Sequence, residues 1–247
     1  MMLHLLTERS VSVICCNVNY LSEIKMLENK TEQKIELSKA AMSILNVAES
    51  LFAQKGFKAT SISEIAKSTG GSKANIYHHF KSKEHLYQEA LELACERVFN
   101  LEKISNSYPS VDAKTQLKEY ISLHLKSMLE HPVSTNLIKR ELMDNNQIKG
   151  EMLAKNIFTN TFLKVSSLVF TAKGVDKNSQ DLNASLQAFM LIGVNTFFFD
   201  SQAVMKYLPE LAVIADSPTV FSNKIFDFIM NTDSQNIQKT TMRNFNE

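Results

Sequence analysis

Five side chains in the stretch Lys73-Ala74-Asn75-Ile76-Tyr77-His78 have the chemistry of a surface that reads a nucleic acid. Lysine donates to the acceptors of guanine, asparagine pairs with adenine through two hydrogen bonds, and alanine lets a helix N-terminus approach a base edge or a thymine methyl. Lys73, Ala74 and Asn75 are therefore the expected base readers. Tyr77, His78, Lys83 and the hydroxyl of Thr60 suit phosphate oxygens, helped by backbone N–H groups at two helix starts, where Ser61 and Ser72 stand. No carboxylate lies between Glu64 and Glu84, whereas Lys67, Lys73, Lys81 and Lys83 do, so a locally positive strip sits on a nearly neutral chain. The alternative for these lysines is a solvated face on an ordinary helical pair.

Two short helices are needed to position this chemistry. Ser61 with Glu64 three residues later forms a capping box, and Ile62, Ile65 and Ala66 follow at helical spacing as one apolar stripe. Gly70 and Gly71 stop that helix, because glycine accepts the left-handed backbone of a sharp reversal, and Ser72 can cap the next. The second helix runs from Lys73 to about His79, anchored by Ile76 and Phe80. His79, beside a buried phenylalanine, reads as a packed or capping residue. Upstream, Ile44, Val47, Ala48, Leu51 and Phe52 recur with helical spacing, and Gly56 is the expected end of their helix.

Leu51-Phe52-Ala53-Gln54-Lys55-Gly56-Phe57, Ala59-Thr60-Ser61-Ile62, Gly71-Ser72-Lys73 and Tyr77-His78-His79-Phe80-Lys81-Ser82-Lys83-Glu84 closely resemble the DNA-binding domain of the TetR family of bacterial transcriptional regulators. The resemblance covers roughly Ser38 to Val98. Gly71 departs from it, standing where the family usually has a small aliphatic residue. What the resemblance implies is an all-α fold: an N-terminal three-helix DNA-binding domain over 38–98, with its helix-turn-helix at 61–80, and a helical effector-binding and dimerisation domain over 99–232. It also implies phosphate contacts from Thr60, Tyr77 and Lys83, base contacts from Lys73, Ala74 and Asn75, and a groove-edge position for His78.

The 247 residues leave ample chain for a second core after the reading segment. Eleven methionines and fifteen phenylalanines suit an adaptable interior. A formal charge of +1 means that DNA affinity must come from a local patch and from dimerisation, since there is no polybasic tail. The three cysteines, Cys15, Cys16 and Cys95, have neither zinc-site nor disulfide-framework spacing, so a reducing cytoplasm is the expected compartment. The most apolar window, Ala188 to Phe199, is shorter than a membrane span, and no transmembrane helix is expected. Residues 1–37 read as a poorly ordered extension, with Met26 a plausible start, and 233–247 as a flexible tail.

Beyond Lys83 the pattern is helical throughout, with no convincing strand. A bridging helix capped by Ser82 is expected to about Ser105. Further helices follow at Asp112–Glu130, Ser134–Met143, Ile148–Ala172 and Ser179–Tyr207, and the last runs from Ser217 to Met230 with Pro218 at its first position. The last two carry more apolar surface than a monomer needs. Leu186, Phe189, Met190, Gly193, Phe197 and Phe198, with Val220, Phe221, Phe228 and Ile229, either fill the core or face a twin in a four-helix dimer interface. His124, Met128, Phe158, Phe162, Phe189 and Asn195 are candidates for an effector pocket. His124 and His131 share a helix face without a third ligand, so no metal or cofactor is expected.

These features point to a regulator, acting as a homodimer on a pseudo-palindromic operator and released by a small molecule. The alternative is an architectural or cell-division factor on the same scaffold, without a ligand. Catalysis is not expected: the sequence offers no nucleophile with a base, no paired carboxylates in a cleft motif and no phosphate-cradling glycine loop.

Overall fold

The computed structural model describes residues 38–99, 112–143, 154, 158–174 and 182–232, apart from the side chain of residue 160. The expected N-terminal extension, the end of the bridging helix, the stretch from 148 to 157 except residue 154, and the tail lie outside the described residues. Every regular element among the described residues is a helix. The chain divides by compactness at Ala40, and residues 41–247 form one unit.

Helix α1 (Lys39–Ala59) buries Ile44, Leu45, Ala48 and Phe52 along one stripe. Gly56 breaks its geometry with φ 80° and ψ 170°, a conformation that costs glycine little, yet one more helical turn follows to Ala59. A kink of this kind strands carbonyls of the preceding turn, and buried carbonyls must find donors. The hydroxyl of Thr60 serves Gly56 O at 2.9 Å and Leu51 O at 3.3 Å. Arg140, from a helix far along the chain, donates through Nη2 to Gln54 O at 3.1 Å and through Nε to Ala53 O at 3.4 Å.

After α2 (Ile62–Ser68) and α3 (Lys73–His79), helix α4 (Lys83–Phe99) begins with the Ser82 hydroxyl accepting from His85 N at 3.1 Å. Helix α5 (Ala113–Glu130) is capped by Asp112, whose carboxylate accepts from the amides of Lys114 and Thr115 and from the Thr115 hydroxyl. That hydroxyl, aided by the amides, holds the Asp112 carboxyl below the usual carboxylate range. Helix α5 ends at Glu130 as expected, and Pro132 opens α6 (Pro132–Met143) two residues before the expected Ser134: a proline lacks only an N–H that the first helical position leaves unused. Helix α7 (Thr159–Lys173) ends at Gly174 with φ 67°. Helix α8 (Leu182–Met205) and the unanticipated single turn α9 (Ala212–Ala215) lead to α10 (Pro218–Asn231), capped by Ser217 as expected.

Helix α5 is the axis of the larger core. Its Leu117, Tyr120 and Ile121 meet Val165 and Val169 of α7, Ala188 and Leu191 of α8, and Ile229 of α10. A smaller cluster joins Leu125 to Phe198 and Phe221, whose rings lie 4.2 Å apart.

The two alternatives for the apolar face of α8 and α10 are thereby divided. Phe198, Phe221 and Ile229 are core, whereas Phe189 is 67%, Phe197 71% and Phe228 60% exposed. Leu182, Leu186, Met190 and Val204 join the exposed set, at spacings that form one continuous stripe along α8. The apolar window expected to be too short for a membrane lies inside this 24-residue helix, which is long and apolar enough to cross one by length and composition. Its inner face, however, carries the buried amides Gln187 and Asn195, and it packs against α5 and α7 as a bundle helix does.

Candidate nucleic-acid interface

Both arms of the helical pair are set by local chemistry. The Ser61 hydroxyl accepts from Glu64 N at 3.1 Å and opens α2. The Glu64 carboxylate is held below its ordinary value first by the Lys55 ammonium, with which it pairs, and also by the Ser61 amide. Ile62, Ile65 and Ala66 turn inward.

Between the arms, Gly71 N donates to Ala66 O at 3.0 Å and Gly70 N to Lys67 O at 3.2 Å, the paired bonds of a Schellman motif. Gly70 supplies the left-handed residue, with φ 69°. Gly71 does not have a positive φ. A Cβ at Gly71 would lie 3.4 Å from Asn75 Nδ2 and 3.4 Å from Thr69 Oγ1, so this departure from the family pattern frees space around the Asn75 amide rather than serving the turn.

The Ser72 hydroxyl accepts from Asn75 N at 3.1 Å and starts α3. Ile76 and Phe80, each 1% exposed, anchor the helix. Lys73, Ala74, Asn75, Tyr77 and His78 are all exposed, so the geometry brings the expected readers onto the outer side of one helix. His79 is half-buried, with its ring 5.1 Å from His78 and 6.3 Å from Phe80. Lys83, at the start of α4, places Nζ 4.3 Å from the centroid of the Phe57 ring.

Thr60 is the correction. Its side chain is 1% exposed and its hydroxyl is spent on the two α1 carbonyls, so it caps the kinked helix from within instead of meeting a phosphate. Gly56 signalled the break, but nothing in the spacing showed that helix would resume beyond it.

A second region gathers side chains between α4, α5, α6 and α8. A small surface cleft is lined by His124 and Met128, two of the pocket candidates, and by Phe99, Thr135, Ile138 and Thr196. The His124 ring is stacked between Tyr120 at 5.6 Å and Phe99 at 5.2 Å. Its Nδ1 lies 3.0 Å from Asn195 Nδ2, which also donates to Ile121 O at 3.4 Å. Burial pushes the His124 pKa down to about 4, so the ring is neutral at pH 7. Lys139 on the rim pairs with Asp200.

Of the other pocket candidates, Phe158 meets Phe99 edge-on at 6.5 Å. Phe162 packs against the core around α5, and Phe189 stands outside on α8. Neither lines the cleft, because the inward side of α8 at that level is the one bearing Ile192 and Thr196. No group of three or more metal-binding side chains occurs among the described residues.

Helix α6 joins the two regions. While Thr135 and Ile138 face the cleft, Ser134 donates to the buried carboxylate of Glu49 on α1, Arg140 serves the α1 carbonyls and Glu141 accepts from Tyr87 on α4. Arg97 Nη1 completes the Glu49 site at 2.5 Å.

Residues 44–90 match the profile of the family described as bacterial regulatory proteins, tetR family. Among curated proteins, the chain is 28% identical over 162 residues to the HTH-type transcriptional regulator YerO of Bacillus subtilis, covering 64% of this chain and 56% of that protein. It is 32% identical over 127 residues to the HTH-type transcriptional regulator AcrR of Shigella flexneri, covering 51% and 57%. The chain thus spans little more than half the length of these relatives. The solved structure of the fatty acid degradation regulator FadR from Bacillus halodurans superposes with a TM-score of 0.62 at 18% identity, over 81% of this chain and 99% of that one. At that identity the likeness concerns the fold alone.

Proposed function

We propose that this chain, a member of the TetR family of bacterial regulators, is a DNA-binding repressor, held on a pseudo-palindromic operator as a homodimer and released by a small molecule. One observation carries the reading: Lys73, Ala74, Asn75, Tyr77 and His78 stand outward on a helix whose Ile76 and Phe80 are locked inside.

In this assignment residues 38–98 read DNA, while residues 99–232 hold the effector and the dimer contact. Lys73, Ala74 and Asn75 face base edges in the major groove. Tyr77, His78 and Lys83, with the capped starts at Ser61 and Ser72, engage the phosphates that fix register. The exposed stripe of Leu182, Leu186, Phe189, Met190 and Phe197 on α8, with Phe228 on α10, is the surface assigned to the twin. Two reading helices spaced by about 34 Å, one turn of DNA, then meet the two half-sites. The compartment is the cytoplasm, where the nucleoid is within reach.

Release requires a ligand that binds the DNA-incompetent arrangement better than the competent one. The cleft suits this role because two of its walls lead to the reading head. Helix α4 runs from Lys83 to Phe99, and α6 carries cleft residues on one side and the Glu49, α1 and Tyr87 contacts on the other. A ligand that spreads α4 from α6 changes the support beneath α1.

The test uses an operator selected by the wild-type chain from a random-sequence duplex pool. Lys73→Ala and Tyr77→Ala are each expected to weaken binding in gel shift by about 1–3 kcal/mol, while circular dichroism stays unchanged. Wild-type affinity in both variants overturns the assignment of α3.

A further inference from the structure

We propose that Phe57 is a positioning residue that aims the Lys83 ammonium at the DNA backbone; this rests on the assignment of Lys83 to phosphate made above. Gly56, with φ 80°, turns the chain so that Phe57 leaves the axis of α1. Its ring then meets Tyr87 edge-on at 5.0 Å and Phe52 at 6.2 Å, while Tyr87 and Phe52 themselves lie 4.8 Å apart. Three rings from α1 and α4 thus form one rigid platform. The hydroxyl of Tyr87 donates to Glu141 of α6, which fixes the far side.

Lys83 lies over the Phe57 ring of this platform, at a distance well inside the roughly 6 Å reach of a cation–π contact. A lysine has four rotatable bonds and loses much rotamer freedom when it must hold one place. A ring beneath the ammonium removes that loss before DNA arrives. An ammonium also has three donors, so a ring on one side leaves the others available to a phosphate oxygen. Glu84, the neighbouring exposed carboxylate, is held below its ordinary value first by its own backbone amide and the Ser82 hydroxyl, with the Lys83 charge a smaller cause. Nothing in the lysine strip gives Lys67, Lys73 or Lys81 a comparable seat: all three are exposed, whereas Lys83 is half-buried.

A core role and a positioning role for Phe57 separate in the salt dependence of binding, because each phosphate contact contributes about 0.9 to the slope of log K against log salt. The probe is a random-sequence duplex of about three helical turns, bound by the full chain and followed by fluorescence anisotropy between about 50 and 200 mM salt. Lys83→Ala is expected to lower the slope by about 0.9 per subunit bound. Phe57→Leu, which keeps an apolar side chain without the ring, is expected to lower it by most of the same amount. Phe57→Tyr, which keeps the ring, retains the wild-type slope, and Phe57→Leu adds nothing once Lys83 is alanine. Loss of folded protein in Phe57→Leu lowers the signal amplitude and leaves the slope alone. A wild-type slope in Phe57→Leu, beside a reduced one in Lys83→Ala, overturns the positioning role. A wild-type slope in Lys83→Ala removes the phosphate assignment itself, and the inference with it.

Discussion

The reading helix and the cleft treat polar side chains in opposite ways. On α3 the side chains of Lys73, Asn75, Tyr77 and His78 stand in water, and the Ser72 hydroxyl bonds within the protein to start the helix. Around the cleft, His124, Thr135 and Asn195 are 2% exposed or less and are bonded within the protein, to one another or to carbonyls of α5 and its end. Surface groups of the first kind exchange water for a ligand at little structural cost. Groups of the second kind are part of the fold, and removing one leaves its partner buried and unmet. The contrast teaches that substitutions in the head should change binding without changing stability, and that substitutions at the cleft should do the reverse.

The sharpest challenge to that division is acid. The folded pKa of His124 lies near 4, below the ordinary histidine value of 6.5, so between those values the unfolded chain binds the extra proton. Stability contributed by neutral His124 is therefore full above pH 6.5 and is lost as the pH falls toward 4. The loss reaches about 3 kcal/mol across the window, read from urea midpoints at each pH. His124→Phe should flatten this dependence, and a wild-type slope in that variant would mean that the ring is not buried as described. Next in size, Asn195→Ala is expected to cost about 2 kcal/mol in the same assay, because His124 Nδ1 loses its donor and Ile121 O its side-chain donor. Asn75→Ala in the head should stay within about 0.5 kcal/mol of wild type, while its affinity for a selected operator falls. The two glycines of the turn divide in the same way. Gly70→Ala should lose about 1 kcal/mol to its left-handed backbone, whereas Gly71→Ala should be nearly neutral, and equal losses at the two glycines would contradict the Schellman geometry.

The same contrast explains what the amino-acid sequence made legible. Ser61 with Glu64, Gly70, Ser72 and Ser82 each act on neighbours within five residues, so the helical pair and the outward placement of Lys73 to His78 follow from spacing alone. Thr60 did not, because its acceptors are carbonyls exposed by a kink inside a helix that then resumes. At the cleft, the partners of His124 come from α4, α5 and α8, up to 71 residues away. Helix α8 is apolar on nearly all sides, and such a helix gives no periodic sign of which face is inward. Phe189 and Ile192 are therefore indistinguishable by pattern, although one stands in solvent and the other lines the cleft. Phe99 on α4 and Ile138 on α6 were missed because which helices meet at the cleft is set by tertiary packing and not by spacing within one helix.

Arg140 gives the joint between these regions its character. Its guanidinium finishes the hydrogen bonding of a helix that it does not belong to, occupying the space where a side chain at position 56 would have been. A head cut away from the rest would leave Ala53 and Gln54 without that donor and Glu49 without Ser134. The glycine kink thus ties α1 to α6 through hydrogen bonds that neither helix makes alone.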